Sequence, residues 1–392
     1  MKEIVIVGAK RTAIGNFGSV FRDITCPALG ASAIEAAVNQ AGINPETVDE
    51  TLMGCVLPAG LGQAPARQAM LEAGLSEHCP ATTINKMCGS GLKAIMLARD
   101  AIQTNSAQIV VAGGMENMTR APYLLQKARH GYRLGHGELK DHMFLDGLED
   151  AYDKGTLMGV FAEHTAQELG FTREKQDAFA IESVHRARKA SAENYFAAEI
   201  TPVTVVTSNQ SVVINKDEGP ETANLAKIPQ LKPAFSKNGT ITAANASSIS
   251  DGAAAVVLIS AELAHKKKLN PLAKIVGQCS FAQAPAHFTT APIGAIENLL
   301  KQIGWSLKEV DLFEINEAFA VVTLACMEKL NLDPAKVNVN GGACVLGHPI
   351  GASGARILVT LIYALKTRRL KKGVATLCIG GGEAVAIAIE II

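Results

Sequence analysis

The sequence predicts an α/β protein built from two repeated halves that pack face to face in five layers, α-β-α-β-α. Three observations support this fold class. The chain has 392 residues, which is too long for one ordinary domain. It resembles itself at an offset of about 262 residues. Within each copy, short apolar runs alternate with longer helical runs, and strands flanked by such helices form a sheet covered on both faces.

The repeat keeps its register across several elements. Residues 34–49 match residues 296–311 without a gap, and each stretch covers a helix and an acidic turn. Ser90-Gly91 and Ser353-Gly354 then open the second helix of each copy, and an apolar strand follows it. A shared order of helix, turn, buried strand, Gly-rich loop, helix and strand predicts two copies of one α/β unit.

Three domains follow from the extent of the repeat. Residues 1–118, completed by about 251–268, form the N-terminal half, and residues 269–392 form the C-terminal half. The nonrepeating insert, 119–250, contains a helical stretch at 172–196 and a basic loop. The basic residues of that loop are Lys127, Arg129, His130, Arg133, His136 and Lys140. They indicate either a solvated surface or subunit contact, or a patch for the phosphates of an anionic substrate.

Composition excludes several classes of protein. Lys plus Arg and Asp plus Glu number 37 each, so neither nucleic acid nor an anionic membrane is expected as a partner. The apolar run Ile4–Ala9 is too short for a signal peptide, and we expect no stretch of the roughly 18 apolar residues that a membrane helix needs. Eight cysteines without a Cys-x-x-Cys pair argue against disulfides and zinc, so we expect a reduced, cytoplasmic protein and no metal site.

Two residues of glycine-rich turns are the first candidates for chemistry. Cys88 lies in the run Asn-Lys-Met-Cys-Gly-Ser-Gly, where a glycine-rich turn meets a helix. Helix N-termini favour a thiolate, so this cysteine is a candidate nucleophile, although free cysteines are more often buried apolar residues. His348 precedes Pro349 in a segment with five glycines, so its ring sits in a turn. Such a histidine is able to accept a proton from a nearby thiol.

Two strand ends supply the remaining candidates. Cys378 ends an apolar strand and precedes three glycines, whose N–H groups are suited to stabilise developing negative charge. Asn316 stands at the end of another strand, in register with Gly54 of the first copy. Polar side chains at the carboxyl edge of a sheet commonly face a functional site. Together the four residues suit a reaction that needs a covalent acyl carrier and a separate base.

These motifs resemble those of the thiolase family. The Cys88 run, Asn-Glu-Ala-Phe at 316–319, Gly-His-Pro-x-Gly-x-Ser-Gly at 347–354 and Cys-x-Gly at 378–380 occur in the order and spacing of that family. The resemblance extends over essentially the whole chain, and it implies the thiolase fold with an inserted loop domain.

The resemblance also implies roles for these residues. Cys88 would carry the acyl group as a thioester, His348 would activate it, and Cys378 would exchange a proton with the α-carbon of acetyl-CoA. Asn316 would hold a water that, with His348, stabilises a thioester enolate. The N–H groups of Cys88 and Gly380 would form a second oxyanion site. Because the acyl carrier is a side chain, no tightly bound cofactor is expected, and acetyl-CoA and CoA are the expected substrates.

The insert resembles the loop domain that holds CoA in this family. The matching positions are Leu148, Met158, Phe235, Ala243, Ala246, Ser247, Ala318 and Phe319, and for the apolar ones an ordinary core role is the alternative. Four sites depart from the residues usual in related members, namely Leu157, Glu221, Phe288 and the pair Glu383-Ala384. Glu221 stands where an arginine usually lies near the nucleotide of CoA, and Phe288 replaces a frequent methionine near the acyl pocket.

The resemblance leaves three functions to distinguish. The leading one is an acetyl-CoA C-acetyltransferase that condenses two acetyl-CoA molecules to acetoacetyl-CoA. The second is a degradative 3-ketoacyl-CoA thiolase for longer chains, and the third is a noncatalytic thiolase-like scaffold. Chain-length range and physiological direction stay open at this stage. The loop at 119–150 resembles the segment through which tetrameric members pair, so we expect a homotetramer, or otherwise a dimer.

Overall fold

A computed structural model of the protein describes residues 2–206 and 210–392, so that Met1 and residues 207–209 of the sequence-defined domains lie outside it. In chain order the strands are β1 (Ile4–Thr12), β2 (Gly15–Asn16), β3 (Glu50–Gly54), β4 (Ala81–Ile84), β5 (Ile109–Asn117), β6 (Tyr123–Leu125), β7 (Leu139–Asp141), β8 (Ile200–Thr201), β9 (Val203–Val206), β10 (Ser211–Ile214), β11 (Ser250–Ser260), β12 (Ala273–Ala282), β13 (Leu312–Ile315), β14 (Lys372–Ile379) and β15 (Glu383–Ile391). The α-helices are α1 (Cys26–Ala41), α2 (Pro65–Glu72), α3 (Ser90–Gln103), α4 (Met158–Glu168), α5 (Arg173–Ala192), α6 (Glu218–Thr222), α7 (Ala261–Lys266), α8 (Ala291–Ile303), α9 (Ala320–Lys329), α10 (Ala343–Leu346) and α11 (Ile350–Arg368).

The strand order repeats the internal symmetry of the sequence. The first half runs β4-β3-β5-β11-β1 and the second runs β12-β15-β14-β13, and the two halves meet where β1 pairs antiparallel with β12. The pairs β3–β5 and β13–β14 are parallel in both halves. The first helices also end alike, because α1 stops at Gly42 and α8 at Gly304, each in the left-handed conformation that glycine adopts without a steric penalty.

The helices and sheets stack in the five layers that the sequence predicts. Helices α3 and α11 contact each other and fill the central layer between the two halves of the sheet. Helix α1 covers the outer face of the first half, and α8 covers the outer face of the second. Each of these three layers has its own continuous apolar core. The predicted five-layered α/β architecture is therefore confirmed.

Helix α11 differs from our expectation about long apolar segments. By length and composition alone it is able to cross a membrane, whereas we expected no segment to approach that limit. In the fold, 89% of its apolar window is buried inside the protein. The high hydropathy follows from its place in the central layer, where a helix is surrounded by apolar side chains on every face.

The insert between the halves folds into several small elements. Strands β6 and β7 form an antiparallel hairpin, and a π-helical turn at Phe144–Leu148 follows it. The helical stretch that we expected at 172–196 is α5, which begins after the side chain of Thr172 caps its first turn and ends at Ala192. Residues of this insert line one cavity together with residues that follow β13 and β14.

Candidate active site

Cys88 lies at the sharp turn that leads into α3. The preceding residue, Met87, has a φ of +46°, a backbone conformation that residues other than glycine rarely adopt. Ser90 holds this turn, because its Oγ accepts from the N–H of Lys86 at 2.8 Å and donates to the carbonyl of Met87 at 2.6 Å. A Cβ on Gly89 would come within 2.4 Å of Ile379, so the residue after the nucleophile has to be small. The sequence Met-Cys-Gly-Ser therefore fixes the position of the thiol.

The structure indicates that Cys88 is a thiol at rest and not the thiolate that the sequence predicts. Burial raises its pKa to about 11, although backbone N–H groups of Gly380 and Cys88 itself lower it. The predicted contribution of backbone N–H groups is thus present, but the loss of hydration outweighs it. At neutral pH the resting thiol is protonated, and it needs a base to become a nucleophile.

His348 is able to serve as that base. Its backbone N–H donates to the carbonyl of Ser248 at 3.0 Å, which ties the turn before α11 to the insert. Burial, and then the charge of Arg356, lower the pKa of His348 to about 3, so the imidazole is neutral at physiological pH. The neutral imidazole and the neutral thiol line one cavity, and such a pair reacts by proton transfer that accompanies nucleophilic attack.

Asn316 and Cys378 lie deeper in the protein than Cys88 and His348. Asn316 follows the end of β13, as predicted, and its Nδ2 is 3.5 Å from Nδ1 of His348. Cys378 is fully buried near the end of β14. Burial, followed by the nearby Cys88, raises the pKa of the Cys378 thiol well above its ordinary value. The two thiols are therefore close enough to interact electrostatically.

One cavity brings most of the predicted residues together. It has about 360 Å³ of water-accessible space, and Cys88, His348 and Gly380 lie in its wall. The eight positions that resemble CoA contacts all line the same cavity: Leu148, Met158, Phe235, Ala243, Ala246, Ser247, Ala318 and Phe319. Asn316 and Cys378 do not line it, and each is separated from it by a residue that does, His348 for the first and Gly380 for the second.

Local pairing explains how distant segments reach this cavity. Ala246 forms an isolated bridge with Phe319, and the N–H of Ser247 donates to the carbonyl of Ala318 at 2.9 Å. A Cβ on Gly159 would come within 2.4 Å of the Phe235 ring, so the start of α4 packs directly on that aromatic side chain. The insert and the Asn-Glu-Ala-Phe segment thus form adjoining parts of the cavity wall.

Several residues of the site were not singled out from the sequence. Ile350 and Phe144 line the cavity; Ile350 is the variable position of the Gly-His-Pro-x-Gly motif, and Phe144 lies outside the motifs. The six basic residues of the loop at 127–140 are absent from the lining of this cavity in the described part of the chain. These residues therefore do not contact the catalytic cavity, and both interpretations of the loop stay predictions.

A buried carboxylate beneath the site was also missed. Glu116 Oε2 accepts from the N–H groups of Val56 and Gly351, each at 2.9 Å, and Oε1 accepts from Leu57 N at 3.1 Å and from the Cys55 thiol at 3.7 Å. Burial raises its pKa to about 7. The ligand atoms of Glu116, Cys55 and Cys26 lie within 4.8 Å of one another. However, hydrogen bonds already use the lone pairs of the carboxylate, so this cluster needs no metal to be satisfied.

Comparisons with known families place the chain among the thiolases. The model of the thiolase N-terminal domain matches residues 4–262, and that of the thiolase C-terminal domain matches residues 269–391. The chain belongs to the thiolase family, as its motifs predicted. The N-terminal match continues through the insert, whereas we treated residues 119–250 as a separate unit.

Individual relatives cover the chain from end to end. It is 50% identical over 392 residues to an acetyl-CoA acetyltransferase of Cupriavidus necator, with 100% of both chains covered. It is also 50% identical to an acetyl-CoA acetyltransferase of Escherichia coli, with 100% of this chain and 99% of the relative covered. The crystal structure of the Bacillus anthracis acetyl-CoA acetyltransferase superposes with a TM-score of 0.98 at 43% identity, over 100% of this chain and 99% of that one.

Proposed function

We propose that this chain is an acetyl-CoA C-acetyltransferase, which condenses two acetyl-CoA molecules to acetoacetyl-CoA and CoA in a reversible reaction. One observation carries the proposal: Cys88, His348 and Gly380 face a single cavity whose remaining wall is the set of residues expected to hold CoA. The names of full-length relatives at about 50% identity support the same function. The acyl carrier is the Cys88 side chain, so the reaction requires no tightly bound cofactor and no metal.

In the first half-reaction the acetyl group moves to the enzyme. His348 accepts the proton of the Cys88 thiol as the sulfur attacks the thioester carbonyl. The N–H groups of Cys88 and Gly380, which lower the pKa of this thiol in the free enzyme, stabilise the oxyanion of the tetrahedral intermediate. The C–S bond to CoA then breaks, and the CoA sulfur takes the proton from His348. Acetyl-Cys88 and free CoA are the products.

In the second half-reaction a carbon–carbon bond forms. A second acetyl-CoA loses a proton from its α-carbon, and the water held by Asn316 donates a hydrogen bond to the enolate oxygen. The α-carbon attacks the acetyl group on Cys88, and the Cys88 sulfur leaves. Cys378 gives its thiol proton to the departing Cys88 sulfur and takes the α-proton in its place, so the free enzyme regains both thiols. The short separation of the two thiols, visible as an effect of one on the pKa of the other, supports this relay.

Two measurements test the proposal. Mixing the protein with acetyl-CoA should place one acetyl group on the peptide that contains Cys88, as seen by mass spectrometry. A noncatalytic scaffold would acquire none. Thiolysis of 3-ketoacyl-CoA substrates of increasing chain length should then be confined to acetoacetyl-CoA, because the buried Phe288 ring packs edge-on against Phe319 in the cavity wall. Equal rates on longer chains would instead identify a degradative thiolase.

The nucleotide of CoA would extend into a neighbouring cavity. This second cavity shares Ala243 and Ser248 with the first, has about 310 Å³ of water-accessible space, and is lined by one charged residue, Lys227. Glu221 lies on the short helix α6 and does not line it. We infer that Lys227 supplies the positive charge that the usual arginine would provide at position 221.

The Lys227 assignment predicts a modest loss of CoA affinity. Lys227→Ala should raise the KM for CoA in thiolysis about fivefold, which corresponds to roughly 1 kcal/mol for an exposed charge. The KM for dephospho-CoA, which lacks the 3′-phosphate, should change less if the lysine contacts that group. Lys232→Ala is the matched control, because Lys232 lies outside both cavities. An unchanged KM for CoA in Lys227→Ala would contradict the assignment.

We also propose that the protein is a cytoplasmic homotetramer active in fatty acid metabolism. The β6–β7 hairpin exposes large apolar side chains, which indicates a surface that another subunit covers: Tyr123, Leu125, Leu134 and Leu139. The cysteines are free thiols, which suits a reducing compartment. Light scattering should give about four times the chain mass of 41.1 kDa, and a Leu134→Asp, Leu139→Asp double variant should shift it to the dimer. A wild-type dimer would contradict the tetramer.

A further inference from the structure

The two ring nitrogens of His348 have very different surroundings. Nδ1 lies 2.5 Å from Oγ of Ser353, which belongs to the first turn of α11. Nε2 is buried and has no hydrogen-bond partner within the described residues. A neutral imidazole carries one proton, and the proton on one nitrogen leaves a lone pair on the other. Which nitrogen is protonated therefore decides whether the ring is able to act as a base at Nε2.

The hydroxyl of Ser353 decides the direction of its bond to the ring. Its Oγ lies 2.9 Å from the carbonyl oxygen of Pro349, one turn earlier in the chain. A carbonyl oxygen only accepts, so the single hydrogen of the hydroxyl is directed there. The lone pairs of Oγ remain free to accept a hydrogen from Nδ1. This arrangement places the proton of His348 on Nδ1.

Asn316 is the competing partner for the same nitrogen. Arg356 Nη2 donates to Asn316 Oδ1 at 3.3 Å, and a guanidinium has no acceptor atom, so the amide is oriented with its NH2 group toward His348. That NH2 group is able to donate to Nδ1 only when Nδ1 carries no proton. The distance from Nδ2 to Nδ1 is 3.5 Å, against 2.5 Å for Ser353, so the serine contact prevails.

We propose that Ser353 is a positioning residue that holds His348 in the tautomer protonated at Nδ1, which leaves the Nε2 lone pair available to the Cys88 thiol. This rests on the proposed role of His348 as the base. Without the serine hydroxyl, Asn316 becomes the remaining partner of Nδ1, and its NH2 group stabilises the opposite tautomer. That tautomer has its hydrogen on Nε2, so it cannot accept the proton of Cys88.

The tautomer matters because the ring is neutral in the resting enzyme. An imidazolium would carry hydrogens on both nitrogens, and Ser353 would then make no choice between them. The pKa of His348 is lowered to about 3 by burial and by Arg356, so the neutral ring dominates at physiological pH. In serine proteases, a hydrogen-bond partner that holds the wrong histidine tautomer costs about 10⁴ in rate. A serine hydroxyl is uncharged, so a smaller effect is expected here.

The variant Ser353→Ala tests the proposal through two readouts. The rate of Cys88 acetylation by acetyl-CoA, followed by rapid quenching and mass spectrometry, should fall about 100-fold, while the KM for acetyl-CoA stays within about twofold. Nitrogen NMR of protein with labelled histidine should report Nδ1–H for His348 in the wild type and Nε2–H in the variant. His348→Gln assigns the His348 signal among the nine histidines.

Two further variants separate a specific effect from general damage. Ser353→Thr restores the hydroxyl, so it should recover Nδ1–H and most of the acetylation rate. Thr323→Val removes a buried hydroxyl that has no hydrogen-bond partner among the described residues, so it should leave both readouts at wild-type values. A Ser353→Ala protein that keeps Nδ1–H would overturn the proposal, whatever its rate. A His348→Gln protein that still acetylates Cys88 at the wild-type rate would instead overturn the role of His348 as the base.

Discussion

The two halves of the molecule use one framework for different purposes. Strand β3 ends at Gly54, and its counterpart β13 is followed by Asn316 at the equivalent position. A Cβ on Gly54 would come within 2.7 Å of the α3 backbone, so the first half uses this position for close packing. The second half places a polar side chain there, against His348. The two copies of the unit thus keep the same strand end but place different residues there: the residue of the first half serves packing, and that of the second half lies at the active site.

A Ser-Gly dipeptide lies in the first turn of the second helix of each half, and its serine performs a comparable task in both. Ser90 bonds the turn that carries Cys88, and Ser353 bonds the turn that carries His348. Each hydroxyl donates to a backbone carbonyl of its own turn, that of Met87 or Pro349. Each oxygen then accepts one further hydrogen. The nucleophile and the base are therefore held by equivalent serines at the N-termini of the two central helices.

The largest expected effect comes from removing, one at a time, the two thiols that the two halves contribute. Cys88→Ala should abolish acetylation, condensation and thiolysis, with a loss of at least about 1000-fold, because no acyl carrier remains. Cys378→Ala should still acquire an acetyl group at Cys88 but should fail to condense, because the α-proton has no relay. Mass spectrometry of the acetylated peptide and an assay of acetoacetyl-CoA formation distinguish the two. Normal condensation by Cys378→Ala would contradict the division of labour between the halves.

Much of this comparison was predictable from the sequence. The register of the repeat, with Ser90-Gly91 matching Ser353-Gly354, indicated two copies of one unit. Helix α3 begins at Ser90 as predicted, whereas α11 begins three residues earlier than predicted, at Ile350. Strand ends and Gly-rich turns located Cys88 and His348, because such positions are the ones at which a sheet presents side chains to a cleft.

Other features depend on distances that the sequence does not contain. The thiolate expected at Cys88 rested on the helix N-terminus, but the balance between backbone N–H groups and lost hydration requires the depth of burial. Glu116 lies more than two hundred residues from Gly351 in the chain, and no periodicity indicates that its carboxylate caps α11. Ser353 belongs to a recognisable motif, but its effect on a ring tautomer appears only once Pro349 and His348 are in place.

A medium effect, on stability, is expected at Glu116, whose carboxylate joins the two halves by accepting from Gly351 N. Glu116 ionises near pH 7 in the folded protein and near 4.5 when exposed, since burial raises its pKa. Between these values the folded state retains a proton that the unfolded state has lost. The contribution of this residue to stability is therefore greatest below about pH 4.5 and decreases, by up to about 3 kcal/mol, as the pH rises to 7.

Glu116→Gln should remove that pH dependence. Thermal unfolding from pH 4.5 to 7.5 should show a flatter trend for the variant than for the wild type, because glutamine does not titrate. The variant is also expected to be less stable at every pH, since its NH2 group faces backbone N–H donors that the carboxylate accepted. Glu46→Gln, which changes an exposed glutamate, should keep the wild-type trend. Parallel curves for wild type and Glu116→Gln would show that Glu116 is not the titrating group.

The smallest effect is expected from Ser90→Ala, and it sharpens the comparison of the two serines. The variant loses two hydrogen bonds in the turn that carries Cys88, so its free energy of unfolding should fall by about 1–2 kcal/mol. Because Ser90 does not contact the imidazole, the NMR signals of His348 should still report Nδ1–H. Alkylation of Cys88 by iodoacetamide should change a few-fold, through the geometry of the turn alone. A tautomer change in Ser90→Ala as well as in Ser353→Ala would mean that the two turns are coupled, and that neither serine acts on its own half.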